Sequence, residues 1–489
     1  MAGILPDNSL EPRRIASWTL AKIADAVGGH LQGADAANIR PSRVSSDTRS
    51  LKGGELFVAL RGENFDAHDF LARAEEAGAV AAMVDRTEGL DTDLPLVIVD
   101  DTLDGLTALG TAVWQEASEA GLHTIDVTGS NGKTTVKEML ALLWGVRGAV
   151  FATPGNLNNH IGVPLVLCDI PADCDHLVLE MGANGPDEIS HLVALAPGTE
   201  RIITSIGVAH IEGFGSVDGI RRGKSEIFEG ADEETTAIVP YTEVDNLIGA
   251  DFPGRVITVG FEEEADLTVR LLEPDEAGRE ALRVSVSFGD DEWTICLPIP
   301  GEHHALNVGT SIATLLARGL SLREDMCNAQ LAELALPQGR WRVVEVDEKC
   351  FVDDAYNANP SSMKASFDAF MGTNDPDERP RVAIIGEMLE LGADAEEWHL
   401  EVAAAIAGHK RLDAFIAVGE FADKMAEAAR ANAAGPLEAK GFAEVAHAAR
   451  WLASKGPAFV FLKASRGARL ERVVDLIEAK GEKRPVEQT

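Results

Sequence analysis

The sequence is short of the features that mark secreted, membrane-spanning or nucleic-acid-binding chains. Cysteine is scarce: Cys168, Cys174, Cys296, Cys327 and Cys350 are all there are in 489 residues, with no CxxC pair. That number and spacing exclude a disulfide scaffold, and the thiols are expected to be small, buried and reduced. No run approaches the roughly 18 apolar residues of a membrane span, and the apolar stretch within residues 1–14 is too short for a signal peptide. The chain is therefore expected in the cytoplasm. Positive charge is sparse as well. Lys and Arg number 43 against 80 Asp and Glu, a formal charge of -37, which repels a long nucleic acid. A small phosphorylated ligand remains compatible, because a few cations and backbone N–H groups can hold phosphates inside an acidic shell. There is no internal repeat and no low-complexity tract.

What is present is ordinary globular composition, 45% hydrophobic and 25% charged, in a chain too long for one core. Three domains are expected, at 1–101, 102–338 and 339–489. In the first, Lys52-Gly53-Gly54 punctuates the apolar run Leu56, Phe57, Val58, as in a small α/β module. From residue 102 a helical segment leads into a strand at His123–Val127. Apolar strands then alternate with helical patterns, which implies a parallel sheet with crossover helices. Strands are expected again at Val343–Val346, Val382–Ile385 and Phe459–Leu462. Alanine-rich helices lie between them at 396–408 and 421–434, with a loop at Gly372–Pro380. The fold class is α/β in all three domains.

The strongest local signal is Thr128-Gly129-Ser130-Asn131-Gly132-Lys133-Thr134-Thr135, between a strand and a helix. Val136, Met139, Leu140 and Leu143 recur at helical spacing and predict one buried face, with Lys137 and Glu138 opposite. Glycines let the backbone approach a phosphate, the N–H groups and helix N-terminus attract it, and Lys133 adds charge near the terminal phosphates. Thr134 offers a hydroxyl to Mg²⁺. The usual GxxxxGK[ST] pattern fails only at its first glycine, where Val127 stands.

Magnesium needs further oxygen ligands, and the run Leu177, Val178, Leu179 delivers Glu180 to the carboxyl edge of a sheet, where ligands bind. A second strand, Arg201–Ile206, runs into Gly207-Val208-Ala209-His210, and His210 there is a second candidate for the metal side. On residue type alone, Lys224 reads as a surface lysine.

These blocks resemble the Mur ligases, whose variant phosphate loop reads TGSNGKTT and whose later block reads IGxAHxExFGS. The resemblance spans nearly the whole chain. Ser46-Asp47-Thr48-Arg49 and Gly54-Glu55-Leu56-Phe57-Val58-Ala59 look like the family's UDP-binding module, which makes Ser46, Asp47, Thr48 and Arg49 substrate-binding candidates. Gly155-Asn156-Leu157-Asn158-Asn159-His160-Ile161-Gly162-Val163-Pro164 and Asp353-Asp354-Ala355-Tyr356-Asn357-Ala358-Asn359-Pro360 resemble one branch. That branch joins D-alanyl-D-alanine to UDP-N-acetylmuramoyl-tripeptide with ATP and Mg²⁺. The implied architecture is a UDP-binding α/β module, a central phosphate-loop domain with a parallel sheet, and a C-terminal Rossmann-like domain.

By the same resemblance, Gly129, Ser130, Asn131, Gly132, Lys133, Thr134 and Thr135 bind ATP phosphates, Asn307 touches the adenine, and Arg340 and Asp354 reach ATP from the third domain. Thr134, Glu180, His210 and Lys224, the last as a carbamate formed with CO₂, are the implied metal ligands. Lys133, Lys224 and His210 are the implied catalytic residues. Asn156, Asn158 and Asn159 line the muramoyl-peptide side, and Ser465 and Arg466 receive the dipeptide. The chain departs from the family at Ala67, His160, His304 and Ala464 without losing a phosphate or metal ligand. No nucleic acid or membrane insertion is implied, and a monomer is expected. A sister ligase or folate polyglutamate ligase shares this ATP site with a different amine, and a nucleotide-dependent regulator would need no acceptor.

Overall fold

The computed structural model describes residues 12–479 except 34, 63–64 and 274–280. The N-terminal apolar stretch over residues 1–11 and the last residues of the chain lie outside the described residues. Three larger sheets organise the chain. The first has five strands in the order His30–Gln32, Leu96–Ile98, Ala81–Val84, Leu56–Val58, Val44–Ser45, parallel except at its His30–Gln32 edge. The third has six strands, all parallel but the edge strand Arg342–Val346. Each sheet is covered on both faces by apolar clusters, which is the environment parallel strands require.

The central sheet carries the chemistry. Its nine strands run Asp291–Leu297, Leu282–Phe288, Leu267–Leu272, Arg255–Gly260, Thr236–Pro240, Glu200–Ile203, His123–Thr128, His176–Glu180, Val150–Ala152. Seven are parallel to their neighbours, as the strand–helix alternation implies. Leu282–Phe288 pairs antiparallel with Leu267–Leu272 on one side and with the edge strand Asp291–Leu297 on the other. The connection to that edge strand, Gly289-Asp290 with Gly289 at φ +59°, is a tight hairpin that no parallel crossover could make. The strand at 201–206 is shorter than its sequence suggests, ending at Ile203, because the chain must then bend over the phosphate loop.

The helix Lys133–Gly145 follows the central strand His123–Thr128. Val136, Met139, Leu140 and Leu143 are fully buried as their spacing predicts, each contributing about 1.5–3 kcal/mol of apolar burial. The expected solvent face is not there: Lys137 is buried. The helices Glu302–Ala317 and Glu324–Leu331 pack over that side, and Lys137 Nζ donates to Thr153 O at 2.8 Å. Amphipathic spacing finds the face against the sheet but cannot see a second layer placed by residues 160 positions downstream. Among the described residues no disulfide joins the five cysteines; Cys168, Cys174, Cys327 and Cys350 are buried as expected, and Cys296 is half-buried.

Asp126 breaks the apolar run of the central strand. One carboxylate oxygen accepts the Gly198 N–H at 2.7 Å and the other, Oδ1, has no partner. Burial outweighs that bond and pushes the acid up to about 7. The fold thus binds a proton here that the unfolded chain releases near pH 4, so stability contributed by the neutral acid is present at low pH and lost as pH rises through 7. Asp126→Asn, which mimics the neutral form, is expected to raise the melting midpoint by about 2–4 °C at pH 8 and by less at pH 5. Melting curves of both forms across that range provide the check; parallel curves would refute it.

Candidate functional site

Two glycines shape the loop at the end of strand His123–Thr128. Gly129 has φ +144°, and a Cβ there would lie 2.1 Å from Thr204 Oγ1; Gly132 has φ +85°, and a Cβ there would lie 2.6 Å from Asn307 Oδ1. Only glycine permits both approaches. The loop is pinned to the segment after strand Glu200–Ile203. Ser130 N donates to Ser205 O (2.9 Å), Asn131 N to Ser205 Oγ (3.0 Å) and Ser130 Oγ to Gly207 O (3.0 Å). Lys133 Nζ folds back to donate to Gly129 O at 2.6 Å. Burial lowers its amine's hold on the proton, with Glu180 opposing. The result is a rigid concave rim of N–H groups at a helix N-terminus, the geometry of an anion site.

The facing wall comes from the helix Glu302–Ala317 and from the third sheet. Besides Ser130–Thr135, the cleft is lined by residues that include Asn307, His303, His304, Arg340, Asp354 and Lys463. Asn307 Nδ2 meets His304 Nδ1 at 3.2 Å, and the His303 and His304 rings lie 4.0 Å apart. Burial drives His303 down to about 4 and His304 well below its ordinary value, so both rings are neutral at neutral pH. The Arg340 guanidinium stacks 4.4 Å over the Tyr356 ring. Asp354 is fixed from two sides, by Lys463 Nζ at 2.5 Å and by the Trp341 N–H at 3.2 Å. Asn359 Nδ2 donates to Asn131 Oδ1 at 2.8 Å, so the third domain touches the phosphate loop directly. Asn359 also caps the helix Pro360–Gly372 through a capping box.

Glu180 ends its strand beside the loop. Its Oε2 accepts from Thr134 Oγ1 at 2.9 Å and its Oε1 from Asn158 Nδ2 at 2.8 Å. Thr134 and Glu180 together present the hard oxygen donors that Mg²⁺ takes, and the ion ordinarily keeps several waters besides. They fit the ion. His210 is placed otherwise: in the left-handed region at φ +54°, it puts Nδ1 against the carboxylate of Glu390 from the third domain. Among the described residues no cluster of three or more His, Cys, Asp or Glu forms a ready metal site. Lys224, a surface lysine by type, is in fact buried, its Nζ donating to Ala183 O at 3.3 Å and lying 5.2 Å over the Phe214 ring. Burial, then the charge of Lys133, lowers its amine to about 7.

The remaining expected residues are scattered. Asn156 is exposed, and the Asn159 carbonyl is occupied by the Ile161 and Gly162 N–H groups, a local cap rather than an open contact. In Ser46-Asp47-Thr48-Arg49, Arg49 pairs with Asp47 at 2.8 Å on the surface, and that pairing holds the Asp47 carboxyl below its usual value. Ser465 Oγ accepts the Leu389 N–H and donates to Ala358 O, while Arg466 is exposed and paired with Glu471. Sequence reasoning missed His303, Tyr356 and Lys463 as cleft residues. Tyr356 sits inside a block already singled out, His303 adjoins His304, and Lys463 ends a parallel strand, at the sheet edge where ligands collect.

Comparison with known proteins agrees along the chain. The Mur ligase family catalytic domain model matches residues 41–137, the Mur ligase middle domain 127–315 and the Mur ligase glutamate ligase domain 339–466. UDP-N-acetylmuramoyl-tripeptide–D-alanyl-D-alanine ligase of Escherichia coli is 35% identical over 95% of this chain and 99% of that protein. A crystal structure of MurF from Acinetobacter baumannii superposes with a TM-score of 0.81 at 30% identity, covering 94% of this chain and 99% of the other. MurF from Thermotoga maritima, solved in complex with ADP, gives 0.75 at 28% identity over 90% and 97% of the two chains. With three family models matched along the chain and a relative 35% identical over 95% of it, this chain belongs to the Mur ligase family.

Proposed function

We propose that the chain is an ATP-dependent ligase that joins D-alanyl-D-alanine to UDP-N-acetylmuramoyl-tripeptide in peptidoglycan precursor synthesis, releasing ADP and phosphate. One observation carries the reading: the phosphate loop and Lys133 on the central domain face Arg340, Tyr356 and Asp354 on the third across one cleft. The 35% identity to the Escherichia coli ligase over almost the full length supports the choice of substrates. The proposed division of the chain is a UDP-binding module at 1–101, an ATP-binding domain at 102–338 and a ligase domain at 339–489, working as a cytoplasmic monomer.

A carboxylate cannot form an amide directly, because oxide is too poor a leaving group. In the proposed reaction a carboxylate oxygen of the tripeptide attacks the γ-phosphorus of ATP, breaking the bond to ADP and forming an acyl phosphate. The amine of the dipeptide then attacks the acyl carbon, loses a proton, and expels phosphate. Gly129–Thr135 cradle the phosphates, with the N–H groups of Gly132–Thr135 at the helix N-terminus as donors since those of Ser130 and Asn131 are spent on Ser205, and Lys133 meets the charge that spreads over the moving phosphoryl group. Thr134 and Glu180 would hold Mg²⁺, which would supply neutralisation of phosphate charge. His210 joins that side once Glu390 releases it. Asn307, beside the neutral His304, meets the adenine. Arg340 and Asp354 close on the nucleotide from the third domain, with Lys463 fixing Asp354. Asn156, Asn158 and Asn159 present the acceptor peptide, Ser46, Asp47, Thr48 and Arg49 the UDP group, and Ser465 and Arg466 the dipeptide.

Lys224 is suited to carbamylation. Its burial lowers the amine to about 7, so a large uncharged fraction exists at neutral pH, and only the uncharged amine attacks CO₂. The carbamate would turn a cation into a carboxylate on the metal side.

Two outcomes are expected. Phosphate release with ATP, Mg²⁺ and the tripeptide should depend on D-alanyl-D-alanine and not on D-glutamate, L-alanine or free diamino acids. Lys133→Ala should lower kcat by about a thousandfold or more; release without any acceptor would sink the ligase reading. Secondly, Lys224→Ala should be inactive yet partly restored by small carboxylates such as formate. The wild-type dependence on dissolved CO₂ should weaken as pH rises through about 7, where the amine loses its proton. A folded Lys224→Ala protein that no carboxylate restores would leave Lys224 a structural lysine.

A further inference from the structure

Lys137 is a buried cation beside the site that the proposed reaction does not use. Its side chain is about 3% exposed, and its Nζ makes two contacts, Thr153 O at 2.8 Å and Glu138 Oε1 at 2.9 Å. Burying an ammonium costs several kcal/mol unless it is well paired, so so enclosed a lysine calls for a reason. A methionine or leucine would fill the same volume between sheet and helices without that cost.

The reason lies in what Thr153 does next. Thr153 is itself buried, and its Oγ1 accepts the backbone N–H of Glu180 at 2.9 Å. Five residues on, Asn158 Nδ2 donates to the Glu180 carboxylate at 2.8 Å, and Asn158 O accepts the Gly182 N–H at 2.7 Å. The segment 153–158 therefore grips Glu180 from both ends, by its backbone at one and its carboxylate at the other. On the helix, Thr134 bonds the second Glu180 oxygen, and Lys137 stands three residues further along, on the same side of the helix. One helix thus touches Glu180 directly through Thr134 and holds the gripping segment through Lys137.

We propose that Lys137 is a positioning residue that ties the acceptor-side segment 153–158 to the phosphate-loop helix and so sets Glu180 for metal binding. The proposal rests on Glu180 being a metal ligand, as read above. The bond to Thr153 O fixes the start of the segment. Without it a buried carbonyl loses its donor, the segment is free to relax, and both grips on Glu180 loosen together. The phosphate loop, held independently by Ser205 and Gly207, stays in place.

The test is ADP binding to the full chain by calorimetry while Mg²⁺ is titrated, with steady-state kinetics alongside. In Lys137→Met, the magnesium concentration giving half of the metal-dependent change in ADP affinity should rise about tenfold, and KM for the tripeptide should rise with it. Metal-free ADP affinity should stay within about twofold of wild type, and Lys137→Arg, which keeps a donor, should recover most of the loss. Thr153→Val, which removes the hydroxyl beneath the Glu180 N–H and leaves Lys137 intact, should reproduce the magnesium effect. An unchanged magnesium requirement in Lys137→Met overturns the proposal, as does an equal loss of metal-free ADP affinity. Should Lys137→Met fail to fold, the magnesium requirement of Thr153→Val decides by itself. Because the ADP titration needs no acceptor, a wild-type chain that ignored the dipeptide would remove the proposed substrate without altering this result.

Discussion

The centre of this molecule is arranged around a single buried carboxylate at the end of a strand. Glu180 is nearly buried, yet its two oxygens are met by a hydroxyl and an amide, and its backbone by a second hydroxyl. A buried carboxylate survives only with such donors. Meeting that need brings together the first turn of the phosphate-loop helix, the end of the neighbouring strand and the asparagine segment. Those three pieces form the floor on which the nucleotide, the ion and the acceptor are proposed to meet. The parallel pairing makes the convergence possible, since His123–Thr128, His176–Glu180 and Glu200–Ile203 all finish at the same edge.

The roof is supplied by a different domain, and its chemistry is of another kind. Arg340 over Tyr356 and Lys463 against Asp354 come from that domain, and the two neutral histidines of the central-domain helix Glu302–Ala317 complete a surface of flat rings and a few fixed charges. Such a surface suits a nucleoside, whereas the loop below suits phosphate. The cleft thus draws its walls from two bodies of the protein. A site so divided is complete only when the bodies are together.

Much of this could be read without coordinates, and the limits of the reading follow a physical pattern. The phosphate loop, Glu180 at a strand end and the buried stripe of Val136, Met139, Leu140 and Leu143 were legible because each depends on neighbours close in the chain. The burial of Lys137 and Lys224 was not, because each is covered by segments remote in sequence, and a lysine by itself says nothing of what lies over it. The antiparallel hairpin at the sheet edge was missed for a smaller reason: Gly289-Asp290 is a turn signal that a search for strand–helix alternation passes over. The occupation of Asn159 by its own helix, and of His210 by Glu390, was equally hidden, since residue type fixes what a side chain can bond and not which of several partners reaches it first. The resemblance to Mur ligases supplied roles for these residues; the partners they hold here come from the fold.

The contact between Asn359 and Asn131 carries a meaning for speed. One half of the Asn359 amide is spent locally, its oxygen starting the helix Pro360–Gly372, and the other half reaches across to the phosphate loop. The donor is therefore aimed before the domains meet, and little side-chain freedom is lost when they do. A single neutral hydrogen bond of this sort is worth about 1 kcal/mol net, close to thermal agitation. It can guide the two bodies into register while leaving them free to part, so spent nucleotide need not be trapped by the bond that helped to enclose it.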